Sequence, residues 1–174
     1  PTGFGDSPYQ SCSTFAGNHY LIDLDFLVED GLLDQEEIAG IRWCRKEEKA
    51  DFGLLYNNRL KVLRLAYSRF SGSEAFNAFC DRSSAWLPDF ALFMALKDFF
   101  GGVCWTEWPQ DIRLHWGFAL DYYREKLYFD IEFQQYLQFK FFQQWLKLKK
   151  YANEKGIQII GDMPIYVSLD SSDV

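Results

Sequence analysis

The side chains best suited to binding or catalysis are a carboxylate that follows an apolar run and aromatic rings in irregular segments. Asp162 comes directly after residues 157–161, while Tyr9, Trp105 and Trp108 lie in stretches without a regular hydrophobic pattern. A ring exposed in a loop can pack on the C–H face of a sugar whose hydroxyls reach nearby carboxylates. Carbohydrate binding is therefore one function open to these residues. A core position for the rings and a strand-end turn for Asp162 are the alternatives.

Two motifs of known chemistry are incomplete or better explained in another way. Gly3 and Gly5 match the start of a dinucleotide-binding loop, but Pro8 stands where the third glycine is needed. Asp23 and Asp25 have the D-x-D spacing of metal-dependent sugar-nucleotide transferases. A carboxylate near the start of a helix explains that spacing better. Neither motif predicts a nucleotide or a metal.

Histidines and cysteines are also poorly placed for chemistry. His19 and His115 belong to no metal-binding array, and there is no G-x-S-x-G motif to supply a serine nucleophile. The four cysteines lack the spacing of a zinc site. We expect them to be reduced, mostly buried thiols in a cytoplasmic protein.

Composition limits the class of protein. The 174 residues include 18 Lys and Arg against 25 Asp and Glu, so the net charge is -7 and nucleic acid is not expected as a partner. The 19% aromatic content predicts a packed globular body. The longest apolar run, residues 90–96, is far shorter than the ~20 residues of a membrane-spanning helix. Residue 1 is Pro and no signal peptide is visible, so we expect a piece of a longer protein.

Helical signals dominate the elements that must position these residues. Asp34 and Glu37 have the spacing of a capping box, and so do Ser71 and Glu74. A helix is predicted near residues 58–69. The apolar residues 90–96 predict a central core helix with Pro88 in its first turn and a stop at Gly101-Gly102.

The clearest helix is predicted over about residues 130–153, with Gly156 as its stop. Its apolar positions recur every three or four residues, at Phe133, Leu137, Phe141, Trp145 and Leu148. Residues 157–160, of which three are isoleucines, begin an apolar, β-rich run that predicts a strand buried on both faces, which is typical of a parallel α/β sheet. Asp162 would then lie at the carboxyl end of a strand, where functional residues of such sheets gather.

Several segments together are similar to one enzyme family. The sequence PTGFGDSPYQS (residues 1–11) followed by FAGN (15–18) resembles the first loop of the amylomaltases, or 4-alpha-glucanotransferases. Residues 151–167 and 170–174 resemble that family's first conserved barrel-strand region. Residues 89–97, 105–109 and 139–145 agree as well, in the expected order.

This resemblance implies an α/β fold, a partial (β/α)8 TIM barrel that is helix-rich in this chain. Residues 1–25 would be the first barrel loop and its lead-in, residues 26–129 a mostly helical insertion, and residues 130–174 a barrel helix, strand and following loop. It also implies a retaining 4-alpha-glucanotransferase that acts on α-1,4-glucans and maltooligosaccharides and needs no cofactor and no metal.

The resemblance assigns substrate-binding roles but no catalytic ones. Tyr9 matches a loop tyrosine that stacks near the donor sugar, and Asp162 matches an aspartate that lines the same subsite. Asp6 and Ser7 belong to the same loop motif. The catalytic carboxylates are expected downstream of Val174. The alternatives are a non-catalytic maltooligosaccharide-binding module and a purely structural helical interaction domain.

Overall fold

Helices make up the regular structure in the part of the chain that the computed structural model describes, which is residues 2, 7, 9–45, 48–162 and 166–174. In chain order the elements there are a 3-10 turn at His19–Leu21, α1 (Leu24–Glu29), α2 (Gln35–Ala39), α3 (Phe52–Ser68), α4 (Glu74–Arg82), α5 (Leu87–Phe99), a second 3-10 turn at Trp105–Glu107, α6 (Gln110–Arg113), α7 (Gly117–Lys126) and α8 (Tyr128–Glu154). The helix-rich character expected from the sequence is confirmed.

The capping box predicted at the start of α2 is present. The Asp34 backbone N–H donates to Glu37 Oε2 at 2.9 Å. The Glu37 carboxylate also accepts from both terminal nitrogens of Arg69, at 2.7 and 2.6 Å. These hydrogen bonds from Arg69 and from the Asp34 backbone lower the pKa of Glu37 to about 2. The cap therefore ties α2 to the end of α3 as well.

Two other helix starts differ from the prediction in position. α3 begins at Phe52 rather than near residue 58, because Asp51 Oδ1 accepts from Leu54 N–H at 3.1 Å. α4 is capped by Ser73, whose Oγ accepts from Phe76 N–H at 3.1 Å, and not by Ser71. In both cases a side-chain oxygen directly before the helix satisfies an amide that has no partner within the helix.

Helix α8 is the central element. It packs against α3, α4, α5 and α7, and it extends over the range that the sequence predicts. Gly156, at φ 75°, follows its end, where a residue with a Cβ would be strained. The middle of α8 is surrounded by other elements, and its buried residues there are Phe133, Gln134, Tyr136, Leu137, Gln138, Phe139 and Lys140.

Helix α5 also has the predicted core position. Pro88 lies in its first turn, and Gly101 and Gly102 follow its end with φ of 71° and 82°. Its buried residues are Leu87, Phe90, Ala91, Leu92, Phe93, Ala95 and Leu96. Because these surround the helix, α5 can contribute to two apolar clusters.

The larger cluster joins α8 to the N-terminal half of the chain, and the smaller one joins α5 to the segment before α8. The first includes Ile22, Leu27, Leu63, Phe76, Phe79, Leu87, Phe133 and Tyr136. The second includes Leu92, Phe93, Leu96, Trp108, Ile112, Ala119, Tyr123 and Leu127.

The predicted strand after α8 is not formed. Residues 157–162 have no regular structure, and Ile160 is 93% exposed. A strand is stabilised by hydrogen bonds to a neighbouring strand, and within the described residues the one β-type pairing is a parallel bridge between Ser11 and Val167. A (β/α)8 barrel is therefore not shown in this part of the chain.

The apolar stripe of α8 is buried only in its first half. Phe133 and Leu137 are buried, whereas Leu148 is 55% exposed. With Phe26 of α1, the second half lines an open groove of about 860 Å³.

Two further expectations concern thiols and membranes. All four cysteines are free, as expected, but each is partly exposed rather than buried. Cys80 packs against the edge of the larger cluster and Cys12 against the edge of the smaller one, so the low polarity of cysteine does not by itself determine how deeply it is buried. Among the described residues, no helix has both the length and the apolar character required to cross a bilayer.

Candidate functional site

The N-terminal loop, of which residues 2, 7 and 9–14 are described, has a turn that presents an aromatic ring to solvent. The Tyr9 N–H donates to Ser7 Oγ at 3.3 Å, and the Gln10 N–H donates to the Ser7 carbonyl, also at 3.3 Å. The Tyr9 side chain is 69% exposed, as the sequence predicts. Ser7 and Tyr9 therefore lie together. Asp6 lies outside the described residues.

This loop is held by the C-terminal segment, residues 166–174. Ser11 pairs with Val167 in the parallel bridge, and the Ser168 N–H donates to the Ser11 carbonyl at 3.1 Å. The Ser172 N–H donates to the Cys12 carbonyl at 2.9 Å. Two irregular stretches from opposite ends of the chain thus form one hydrogen-bonded unit.

Asp173 strengthens the same junction. Its Oδ2 accepts from the Thr14 N–H at 2.6 Å, and its Oδ1 accepts from Ser172 Oγ at 2.9 Å. Burial of the Asp173 carboxyl favours its neutral form, but the hydrogen bonds from Thr14, Ser172 and Ser13 outweigh that effect and lower its pKa. The charged carboxylate therefore holds the loop at neutral pH.

Asp170 anchors the C-terminal segment to α5. Lys97 Nζ lies 2.6 Å from Asp170 Oδ2, with side chains only 17% and 30% exposed. The Trp105 N–H donates to Asp170 Oδ1 at 3.2 Å, and its indole N–H donates to the Leu169 carbonyl at 2.7 Å. Although it has no regular structure, this segment is not a solvated loop at Asp170, because α5 and the following turn cover that side chain.

The two tryptophans of this region are not exposed rings on which a sugar could stack. Trp108 is 7% exposed and packs against Phe93 and Phe100, so the expectation of an exposed ring is wrong. Trp105 is partly buried, and its indole N–H is hydrogen-bonded to the C-terminal segment. Both rings line a cleft of about 240 Å³ beside Ser171 and Ser172. Their irregular segment folds back on α5, which sequence composition does not reveal.

Asp162 stands apart from the loop. It is exposed at the end of residues 157–162, and no hydrogen bond or ion pair joins it to Ser7, Tyr9 or any other residue that the structure describes. The structure therefore brings Ser7 and Tyr9 together without bringing Asp162 to them.

The D-x-D pattern is a helix cap. Asp23 Oδ1 accepts from the Asp25 N–H at 3.0 Å at the start of α1. Nowhere in the described ranges do three or more His, Cys, Asp or Glu side chains meet as a metal would require. What the described site offers is binding chemistry: an exposed ring, a hydroxyl and a loop held by charge-assisted hydrogen bonds.

Sequence reasoning missed Lys97 and Asp170, and it predicted Trp105 as an exposed ring rather than as an anchor of the C-terminal segment. Lys97 and Asp170 are 73 positions apart, and no spacing rule pairs residues at that distance. The available signal was that all three lie in segments that resemble one family.

Comparison with known proteins gives a consistent result. The glycoside hydrolase 77 family, described as 4-alpha-glucanotransferase, matches residues 1–174. The 4-alpha-glucanotransferase of Clostridium butyricum is 46% identical over 175 residues, which cover 99% of this chain and 36% of that protein. The Thermus thermophilus 4-alpha-glucanotransferase is 44% identical over 180 residues, covering 100% of this chain and 35% of that protein.

A solved structure agrees with these sequence matches. The amylomaltase from Streptococcus agalactiae in complex with acarbose superposes with a TM-score of 0.93 at 42% identity, covering 99% of this chain and 36% of that one. The chain thus spans about a third of the length of the relatives that it matches. Since the family match extends over all 174 residues, the chain belongs to the 4-alpha-glucanotransferase family, glycoside hydrolase family 77.

Proposed function

We propose that the protein containing this chain is a 4-alpha-glucanotransferase that moves α-1,4-glucan segments to the 4-hydroxyl of an acceptor glucan or glucose. The observation that carries the proposal is the fold match, at a TM-score of 0.93, to an amylomaltase that holds acarbose. The Clostridium and Thermus relatives bear the name of this activity. Maltooligosaccharides are therefore the proposed substrates.

The proposed reaction is a retaining double displacement. One carboxylate attacks the anomeric carbon as a second protonates the departing glycosidic oxygen, and a glycosyl-enzyme forms. The acceptor 4-hydroxyl then replaces the enzyme carboxylate and gives up its proton to the second group. We place both carboxylates downstream of Val174, so this chain contributes binding rather than bond cleavage. The reaction requires no cofactor, and we propose the cytoplasm as its location.

Within this chain, Tyr9 is the proposed stacking platform for the donor sugar. Its exposure leaves a ring face open, and Ser7 shapes the turn that carries it. We propose that Asp162 accepts hydrogen bonds from hydroxyls of the same sugar, for which its exposed carboxylate is suited. Asp6 is assigned to this loop by the resemblance alone.

We further propose that the chain is the first part of a (β/α)8 barrel, with residues 1–25 and 130–174 in the barrel and residues 26–129 as its helical insertion. The exposed apolar residues Ile157 and Ile160 support this architecture, because such side chains are normally covered. The groove along Trp145 and Leu148 of α8 is another surface that barrel strands would fill.

The test is transfer activity of the full-length gene product on maltotriose, followed as glucose release and as a ladder of longer maltooligosaccharides. Tyr9→Ala and Asp162→Ala are expected to lower transfer at least about tenfold, since each removes contacts to the reacting sugar. Tyr122→Ala and Asp121→Ala, at exposed neighbours on α7, are matched controls that should retain wild-type rates.

Two outcomes would contradict the proposal in different ways. A wild-type protein that binds maltotriose without forming longer products would favour the non-catalytic binding module. Unchanged rates in both Tyr9→Ala and Asp162→Ala would remove the site assignment while leaving the activity in place.

A further inference from the structure

Lys97, near the end of α5, makes three hydrogen bonds with its ammonium group. Its Nζ donates to the Gly102 carbonyl at 2.8 Å, to the Val103 carbonyl at 2.9 Å and to Asp170 Oδ2 at 2.6 Å. A lysine ammonium has three N–H donors, so all three are satisfied by this chain. One side chain thus joins α5, the turn that follows it and the C-terminal segment.

The partner carboxylate is held from a second direction. Trp105, just after that turn, donates its backbone N–H to Asp170 and its indole N–H to the Leu169 carbonyl. The Asp170 N–H in turn donates to Ser168 Oγ at 3.2 Å. Residues 168–170 are therefore fixed to the end of α5 and the turn that follows it, although they have no regular structure of their own.

The fixed segment is also the support of the N-terminal loop. Ser168 and Ser172 donate their N–H groups to the carbonyls of Ser11 and Cys12 on either side of Asp170. Ser11 follows directly on the turn that carries Tyr9. No helix carries the described residues of this loop. Apart from the contact of Cys12 with Met94 of α5, the hydrogen bonds that residues 7 and 9–14 make to distant parts of the described chain go to residues 166–174.

We propose that Lys97 is a positioning residue for glucan binding: its ion pair with Asp170 fixes the C-terminal segment, which in turn holds the loop bearing Ser7 and Tyr9. This proposal rests on the proposed function for the identity of the ligand. Lys97 itself contacts no sugar in this arrangement. Loss of the Lys97 ammonium does not remove the Tyr9 ring, but it allows the backbone of the loop that carries Tyr9 to sample other positions. The affinity for sugar therefore falls more than the rate of the chemical step.

The test combines hydrogen exchange with kinetics on the full-length gene product. In Lys97→Met, the Ser168, Ser172 and Thr14 amides are expected to exchange about tenfold faster, since a charge-assisted hydrogen bond is lost. The KM for maltotriose is expected to rise about tenfold with kcat changed less than about twofold. Lys97→Arg keeps the charge and should stay within about twofold of wild type on both readouts. Lys61→Met, which removes an exposed lysine from α3, is the control for the loss of a charge.

Asp170→Asn provides the second variant if Lys97→Met does not fold. It retains an oxygen for the Trp105 N–H but removes the ion pair, and it should show the same pair of changes. Unchanged exchange in the folded variants would overturn the support role of the ion pair, and faster exchange with an unchanged KM would overturn the positioning role. A wild-type protein without glucan transfer would overturn the proposed function instead. The hydrogen-exchange measurement would then still test whether the ion pair between Lys97 and Asp170 supports the N-terminal loop.

Discussion

Gly17 shows how closely the N-terminal stretch fits α8. Its N–H donates to Gln138 Oε1 at 2.7 Å, and its carbonyl accepts from Gln138 Nε2 at 3.2 Å. A Cβ at this position would lie 1.9 Å from Phe141 Cδ1. The buried amide of Gln138 therefore pairs with a backbone that can approach only because residue 17 has no side chain.

Gly17→Ala is expected to destabilise the protein by about 3 kcal/mol, because a methyl group forced into a packed site displaces the Phe141 ring. The midpoint of denaturant unfolding measures this change. The matched control is Gly53→Ala in α3, where a Cβ would meet no atom nearer than Asp51 Oδ1 at 3.5 Å. Alanine favours a helix, so this control should leave stability unchanged or raise it by up to about 1 kcal/mol. Equal midpoints for the two variants would show that Phe141 can move without cost.

At the scale of elements, α8 holds α1 through an unevenly buried ion pair. Lys140 Nζ lies 2.7 Å from Asp30 Oδ2 at the end of α1, and 3.3 Å from Gln143 Oε1. The Lys140 side chain is 5% exposed, whereas that of Asp30 is 42% exposed. Water can therefore solvate the carboxylate if its partner is lost, but it cannot solvate the ammonium.

This asymmetry predicts unequal costs for the two halves of the pair. Asp30→Ala leaves a buried, unpaired ammonium and is expected to destabilise by about 2 kcal/mol, while Lys140→Met is expected to cost less than about 1 kcal/mol. The double variant Asp30→Ala/Lys140→Met should be more stable than Asp30→Ala alone. Free energies of unfolding at pH 7 measure all three. A double variant as unstable as Asp30→Ala would mean that the alkyl packing of Lys140, rather than its charge, decides the cost.

The helices could be predicted from the sequence where their signals are local. The repeat of apolar residues along α8, the stop at Gly156 and the capping box at Asp34 all involve residues within a turn or two of each other. The position of Trp108 and the pairing of Lys97 with Asp170 could not be predicted in this way. Both depend on contacts between distant parts of the chain, which no periodicity records.

The strand predicted over residues 157–160 is absent from the structure for another physical reason. Its apolar pattern indicates burial, but a strand exists only beside another strand. Of the candidate site, the exposure of the Tyr9 ring agrees with the sequence expectation, while the substrate-binding roles of Tyr9 and Ser7 stay predictions. The proximity of Asp162 to them stays a prediction, since residues 163–165 between Asp162 and the C-terminal segment lie outside the described residues.

For the molecule as a whole, apolar surface remains uncovered along one side of α8 and beyond it. Leu148 and Tyr151 of α8 and Ile160 after it are each more than half exposed, and the groove beside α8 measures about 860 Å³. Surfaces of this kind are rare on proteins that have no partner to cover them. The proposed barrel would bury them in the full-length protein, which spans about three times this length in the matched relatives.

Ile160→Asp distinguishes a buried from an exposed position in the full-length gene product. If barrel strands cover residue 160, an unpaired charge there is expected to cost about 3 kcal/mol or more and to lower soluble yield and thermal stability sharply. Phe129→Asp is the matched control, since Phe129 is 73% exposed in the first turn of α8, where an acidic side chain is favourable. That variant should remain within about 0.5 kcal/mol of wild type.

If Ile160→Asp proves equally harmless, residue 160 is exposed in the complete protein as well. Residues 157–160 are then not a barrel strand, and the proposed position of Asp162 at a strand end is lost with them.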